Sequence, residues 1–283
     1  MRKTKPDPEL VHAENLAAVK DYLIGWKAHL DSKGIWVIEP YARLYDSIAF
    51  STLNKTYRLS QACIHLIESG FSDEAYGLSR SVLECAINLR YLTLNRNEID
   101  LRSNNFLNFF HAERKHFLEL CRIQIKDRSA LDRIESMAKS EGVDKMWSDP
   151  KKRRISDWKK LESHDWDGFK IVTEAHPLDA DLDGRCPILM HYSTAYRAAS
   201  AMVHCSIRAL DNNFAVSNFQ YKVAEDLKTN YDHRFEPLMA VVAGTYLSVK
   251  YALFGAGLDL TETEEFDKLF DTCCVKLVYL KQS

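Results

Sequence analysis

Apolar residues recur at intervals of three and four along most of this 283-residue chain, a period that suits helices and little else. Between residues 75 and 89 the run is Ala75, Leu78, Val82, Ala86 and Leu89. Near the end, Phe266, Leu269, Phe270, Cys273, Leu277 and Leu280 form a comparable stripe. Ten glycines and seven prolines are too few to punctuate a fold of many short strands. The reading is therefore all-α: a single multi-helix bundle, one domain over residues 1–283. Helices are expected from about Glu9 to Leu30, from Pro40 to Gly70, from a Ser72 cap onward with Asp73 and Glu74 in the first turn, and from Glu98 to Lys126. Further helices are expected from Ser129, from Pro187 to Leu210, from Phe235 to Phe254 and from Thr261 to Lys281. Between Met137 and Asp183 the period weakens, charges crowd together and three of the five tryptophans fall, so 137–183 reads as a charged insertion or peripheral lobe. Asp211 to Asp232 reads as a polar connection.

Several function classes drop out at this level. With 38 Lys and Arg against 40 Asp and Glu, the whole chain is not a basic coat for nucleic acid, although a local patch remains open. The opening MRKTKPDPEL has no apolar core of a secretory signal, and no run approaches the roughly 20 apolar residues that span a bilayer. A cytoplasmic protein with no membrane partner is expected. Seven cysteines, an odd number without a C-x-x-C pair, read as core thiols rather than disulfides or zinc ligands. DADLDG spaces Asp179, Asp181 and Asp183 like the start of a calcium loop. Pro187 and Met190 stand where its ninth and twelfth ligands belong, so a polar turn is expected. H-E-x-x-H, a glycine-rich phosphate loop and G-x-S-x-G are all missing, so no metal site and no cofactor are expected.

The segment Ile188 to Leu210 is unlike the others. Its only full charges are Arg197 and Arg208, so a helix there is surrounded by protein on most sides. Leu189, Tyr192, Tyr196, Ala199, Val203, Ile207 and Leu210 make one stripe, and Ser193, Arg197, Ser200, His204 and Arg208 a second beside it. Seven residues separate Arg197 from His204, which puts both on one face, two turns apart. Imidazole exchanges a proton near neutral pH, and guanidinium holds a phosphate through paired hydrogen bonds. Together they suit deprotonation of a ribose 2′-hydroxyl and stabilisation of charge at phosphorus. Arg80 and Glu84, the only charges between Ala75 and Leu89, face one way at a spacing of four. They read as an internal ion pair, or as support that orients His204 or joins Arg197 around a phosphate. From Lys145 to Lys160, seven basic and two acidic residues interleave with indoles. Trp147, Lys151, Lys152, Arg153, Arg154 and Trp158 are candidate RNA contacts there, with a solvated surface helix as the other reading.

YRAASAMVH resembles the Arg-x6-His pattern of the HEPN superfamily of helical-bundle nucleotide-binding proteins and ribonucleases. The resemblance implies Arg197 and His204 as a catalytic pair at a homodimer interface, in a metal-independent endoribonuclease of the kind used in bacterial toxin or phage-defence systems. Ala198 departs from the polar residue that more often follows the Arg. LSRSVLECAINLRYL and HYSTAYRAASAMVH also resemble an uncharacterised bacterial all-helical family of unknown function, over about Leu44 to Leu210. The matching positions in that family are Arg80, Glu84, Tyr196, Ser200 and His204. Two functions are carried forward: an RNA- or nucleotide-handling protein, and a non-catalytic helical interaction or small-ligand-sensing protein in which the same residues are structural.

Overall fold

A computed structural model describes residues 7–32, 43–140, 168–182, 184–196, 199, 214–217, 220–223, 235–258 and 263–277. Its centre is a helix that carries almost no charge. Over Phe235–Ala256, every residue from Pro237 to Gly255 except Met239 is buried, and the only charge in that span is Lys250. This helix is long and apolar enough to cross a membrane, but its apolar window is 94% buried inside the protein. It is surrounded by helices, as the scarcity of charge requires.

The order of elements is α1 Pro8–Ser32, α2 Leu44–Glu68, α3 Ser72–Thr93, a 3-10 turn Arg96–Glu98, α4 Ile99–Gln124 and α5 Arg128–Ser140. Three short helices follow: α6 Gly168–Thr173, α7 Asp179–Leu182 and α8 Ile188–His191. A π-helical turn Tyr192–Tyr196, strands β1 Phe214–Ser217 and β2 Gln220–Val223, and helices α9 Phe235–Ala256 and α10 Glu264–Lys276 complete the elements among the described residues. The most extensive packing joins α9, α3 and α2, and α1 lies against α10 and α9. Gly244 lets α9 and α3 approach closely. A Cβ there would sit 2.7 Å from the Val82 side chain and 3.1 Å from its backbone, closer than carbon atoms pack. One cluster of buried side chains runs from Ala18 and Trp26 on α1 to Phe266, Phe270 and Cys273 on α10. The fold is an all-α bundle, as the apolar period implies.

Element ends follow local chemistry. α2 closes on Gly70 in the left-handed region (φ 90°), with the Phe71 N–H donating to Leu66 O at 2.8 Å, a Schellman closure that glycine permits. α5 is capped by Asp127, whose carboxylate accepts from Ser129 N–H at 2.9 Å, so that helix starts one residue before the expected Ser129.

Three expectations need correction or addition. Ser72 is the first residue of α3, not its cap; Phe71 occupies the cap position, and the buried Ser72 Oγ has no hydrogen-bond partner. The stretch read as a polar connection contains an antiparallel hairpin, with Phe214 opposite Val223 and Ser217 opposite Gln220. Its strands are four residues each, too short to register as a period-two pattern. Finally, the end of the charged 137–183 stretch enters the core through Ile171, Val172, Leu178 and Leu182. Its two helices are too short to show a helical period. Residues 141–167 lie outside the described residues.

Candidate polar site between helix α3 and the π turn

Arg80 and Glu84 stand one helical turn apart on α3, and the chain returns to them at the end of the π turn. Arg80 Nε donates to Glu84 Oε1 at 3.1 Å, Arg80 Nη2 donates to Tyr196 Oη at 3.2 Å, and Tyr196 Oη donates to Glu84 Oε1 at 3.2 Å. The guanidinium carbon also lies 4.8 Å from the Tyr196 ring centroid, within cation–π range. Burial alone would lower the Arg80 pKa, but the Tyr196 hydroxyl and the Glu84 carboxylate outweigh it and raise it. Burial, and then the Glu84 charge, push the Tyr196 hydroxyl upward, so it remains a donor at neutral pH. The site is not sealed: 19% of the Arg80 side chain and 31% of the Glu84 side chain are exposed. The expected ion pair is present, therefore, at the edge of the core and with an added tyrosine.

The backbone that delivers Tyr196 departs from the continuous α-helix expected from Pro187 to Leu210. Ile188–His191 is α-helical, and Tyr192–Tyr196 forms a π turn in which hydrogen bonds reach one residue further. The buried face follows Ile188, His191, Ala195, Tyr196 and Ala199, while Leu189, at the start of the expected apolar stripe, is 43% exposed. An inserted residue rotates the following face, which a uniform period does not foresee. The turn also stacks two rings: Tyr192 and Tyr196 lie 4.7 Å apart at 16°. Tyr196 thus contacts both the Arg80 guanidinium and the Tyr192 ring. Among the proposed site residues, the structure brings Arg80, Glu84 and Tyr196 together. Arg197, Ser200 and His204 lie outside the described residues, as do Trp147, Lys151, Lys152, Arg153, Arg154 and Trp158.

A second polar cluster went unread in the sequence. Arg90, ten residues after Arg80 on the same helix, is 1% exposed. Its five N–H groups meet five acceptors: Ile171 O at 3.0 Å, Asp179 Oδ1 at 2.6 Å and Oδ2 at 2.9 Å, Tyr251 Oη at 3.0 Å and Glu174 O at 2.6 Å. His176 extends the cluster. Its Nδ1 accepts from Leu178 N–H at 3.0 Å, which leaves the proton on Nε2, 3.0 Å from Thr93 Oγ1. Burial first, and then the nearby Arg90 charge, hold its pKa down at about 4. The cluster is a clamp that ties the segment 168–182 to α3 and α9. The one sequence signal was Arg90 itself, four residues after Ala86 on a buried stripe with no carboxylate within a turn. Within the DADLDG motif, Asp179 opens a helical turn and bonds Arg90 through both oxygens. No group of metal-ligating side chains occurs among the described residues.

Other chemistry-bearing groups are inert or separate. Cys186 Sγ lies 3.4 Å from His191 Nε2, a nucleophile-and-base pairing in outline. Burial pushes the Cys186 thiol up and holds His191 down at about 4, so neither is charged at neutral pH and the thiol is not activated. Cys63 and Cys273 are likewise raised by burial to about 12. Lys250, 6% exposed, is neutralised by Asp267 at 2.6 Å and donates to Thr263 Oγ1 at 2.7 Å, which ties α10 to the central helix. Between α1 and α10 a hollow of about 460 Å³ is lined by His29, Ser32, Glu265, Lys268 and Thr272. None of these residues contributes to the Arg80 cluster.

Residues 46–221 match a family described as "Family of unknown function (DUF5677)", well over half of the chain, and the chain belongs to that family. The match takes in Arg80, Glu84, Tyr196, Arg197, Ser200 and His204. No match was found among curated proteins or among solved structures.

Proposed function

We propose that this member of the DUF5677 family handles RNA or a nucleotide at the α3–π-turn site. Arg197 and His204 are the reacting pair, and Arg80, Glu84 and Tyr196 their polar support. The observation that carries the reading is the half-open Arg80–Glu84–Tyr196 cluster, because Tyr196 immediately precedes Arg197 in the chain. A π turn is a frequent device at functional sites, since the extra residue redirects the side chains that follow. In the proposed reaction His204 takes the proton of a ribose 2′-hydroxyl and the 2′-oxygen attacks the adjacent phosphorus. The bond to O5′ breaks, and that oxygen takes a proton from water. Arg197 neutralises the charge that develops on the phosphoryl oxygens. The products are a 2′,3′-cyclic phosphate and a 5′-hydroxyl, and no step calls for a metal. In keeping with the HEPN resemblance, the reading includes a homodimer and a cytoplasmic toxin or phage-defence setting.

The test is cleavage of a panel of RNAs in EDTA by wild type, His204→Ala and Arg197→Ala. Loss of a general base costs about 10²- to 10⁴-fold, so the folded His204→Ala protein is expected to lose cleavage to that degree. Equal cleavage by wild type and both variants removes the assignment. One observation favours a second reading. Arg80, Glu84 and Tyr196 bond one another, as in a structural ion pair, which fits a non-catalytic helical interaction or small-ligand-sensing protein. Absence of cleavage by wild type across the panel would favour that second reading.

A further inference from the structure

A continuous line of contacts joins the sealed Arg90 clamp to the half-open Arg80 cluster. Arg90 Nε donates to Ile171 O at 3.0 Å and Nη2 to Glu174 O at 2.6 Å, which fixes the C-terminal end of α6. Asp179 holds the same guanidinium through both oxygens and accepts from His176 N–H at 2.7 Å. The His176 ring meets Tyr251 edge-on, with centroids 4.9 Å apart. α6 has six residues and is about 9 Å long, so whatever holds one end sets the place of the other. At that other end a Cβ on Gly168 would lie 3.3 Å from Tyr192 Cε2 and 3.5 Å from its Oη. The Tyr192 ring therefore rests on the start of α6, and Phe169 meets the same ring at 6.3 Å. Tyr192 in turn stacks on Tyr196 at 4.7 Å and 16°, and Tyr196 Oη bonds Arg80 and Glu84.

We infer that Tyr192 is a positioning residue: its ring passes the docking of α6, set by Arg90 and Asp179, to Tyr196 and so holds the Arg80–Glu84–Tyr196 cluster in register. Its bearing on catalysis rests on the RNA-handling reading above. Two features make the relay tight. Gly168 leaves no slack beneath Tyr192, and stacked rings in a close-packed environment shift together. Both hydrogen bonds of Tyr196 Oη measure 3.2 Å, at the long end of the usual range. A displacement of about 0.5 Å is enough to break them. Tyr196 immediately precedes Arg197, so the same displacement moves the backbone that leads into the proposed reacting pair. Tyr192 reaches Tyr196 and Phe169 through its ring, so a phenyl group can replace it.

The experiment is amide hydrogen exchange at residues 192–196, read against exchange in α9. The proteins are wild type, Asp179→Asn, Tyr192→Leu, Tyr192→Phe and Gly244→Ala. Asp179→Asn should speed exchange at 192–196 about tenfold relative to α9, as a local opening does. Tyr192→Leu should do the same while residues 171–179 stay as protected as in wild type. Tyr192→Phe, which keeps the ring, should match wild type. Gly244→Ala strains the α9–α3 contact instead and should leave the ratio unchanged. Unchanged exchange at 192–196 in Asp179→Asn overturns the relay, as does a Gly244→Ala protein that speeds it equally. On RNA, Asp179→Asn and Tyr192→Leu should lose roughly tenfold in kcat with KM retained, because misplacement of a reacting group costs rate. Altered exchange with unchanged kcat overturns the positioning role. Wild type that cleaves no RNA removes the RNA-handling reading, and exchange alone then decides the relay.

Discussion

Helix α3 carries two arginines ten residues apart, and they have opposite fates. Arg90 is sealed, and each of its five N–H groups is matched by an acceptor drawn from α6, α7, α9 and the loop between the short helices. Arg80 lies at the edge, shares one carboxylate oxygen with a tyrosine and keeps part of its surface in water. A buried charge must be completely paired, because an unpaired one costs several kcal/mol. Complete pairing leaves nothing over for a ligand. A charge at the rim keeps part of its hydration, so it depends less on protein partners than a sealed one does. The sealed Arg90 cluster is a structural clamp.

The contrast breaks most clearly at Arg90. Arg90→Met strands the Asp179 carboxylate, two carbonyls and the Tyr251 hydroxyl, and should cost about 3–5 kcal/mol in urea unfolding. An equally stable Arg90→Met protein would refute the clamp. Acid acts on this cluster through His176, and separately on His191 beside Cys186. His176 and His191 bind protons in the folded state only near pH 4, whereas unfolded histidine does so near its ordinary value of about 6.5. The unfolded chain thus takes up more protons between those values. Stability is fully present above about pH 6.5 and falls as pH drops toward 4, by roughly 3 kcal/mol per ring at most. Asp179, whose pKa is lowered through its bonds to Arg90 despite burial, adds a further loss at lower pH. Unfolding free energies at pH 7.5, 5.5 and 4.5 test this, and His176→Asn should flatten the slope.

Smaller effects sharpen the comparison. Gly244→Ala forces a methyl group against Val82 and should destabilise by about 1–3 kcal/mol without changing RNA binding. Glu84→Gln keeps the shape of the rim cluster and removes its charge. It should cost less than about 1 kcal/mol, a shift of a few degrees in thermal unfolding, because the pair is partly exposed. If RNA handling belongs to this site, the same variant should weaken it several-fold. A Glu84→Gln protein as damaged in stability as Arg90→Met would mean that the two clusters are alike and both structural.

Much of this architecture was legible along the chain. The stripe from Ala75 to Leu89 lies on a helix buried on that face, and the charge-poor run beginning at Phe235 is the central helix. The Phe266, Phe270 and Cys273 positions are buried on α10 as their spacing requires. Arg80 and Glu84 were also singled out, because two isolated charges at a spacing of four in an apolar helix must find partners, whereas Tyr196 was named as a site residue only by the family resemblance. What stayed hidden is long-range or irregular. Asp179 is 89 residues from Arg90, and nothing in local spacing pairs them. The π turn changes which face of Ile188–Tyr196 is buried, and the short strands and helices are below the length at which a period shows.

The sequence by itself determined the helical class, the central helix and the pairing of Arg80 with Glu84, because each follows from periodicity and from the cost of burying charge. Only the tertiary structure decided which arginine is sealed and which remains at the rim. It also decided that Phe169 caps a ring stack begun by residues more than twenty positions later. Pairing across long separations depends on how elements dock, and docking energies come from surfaces that no single segment contains.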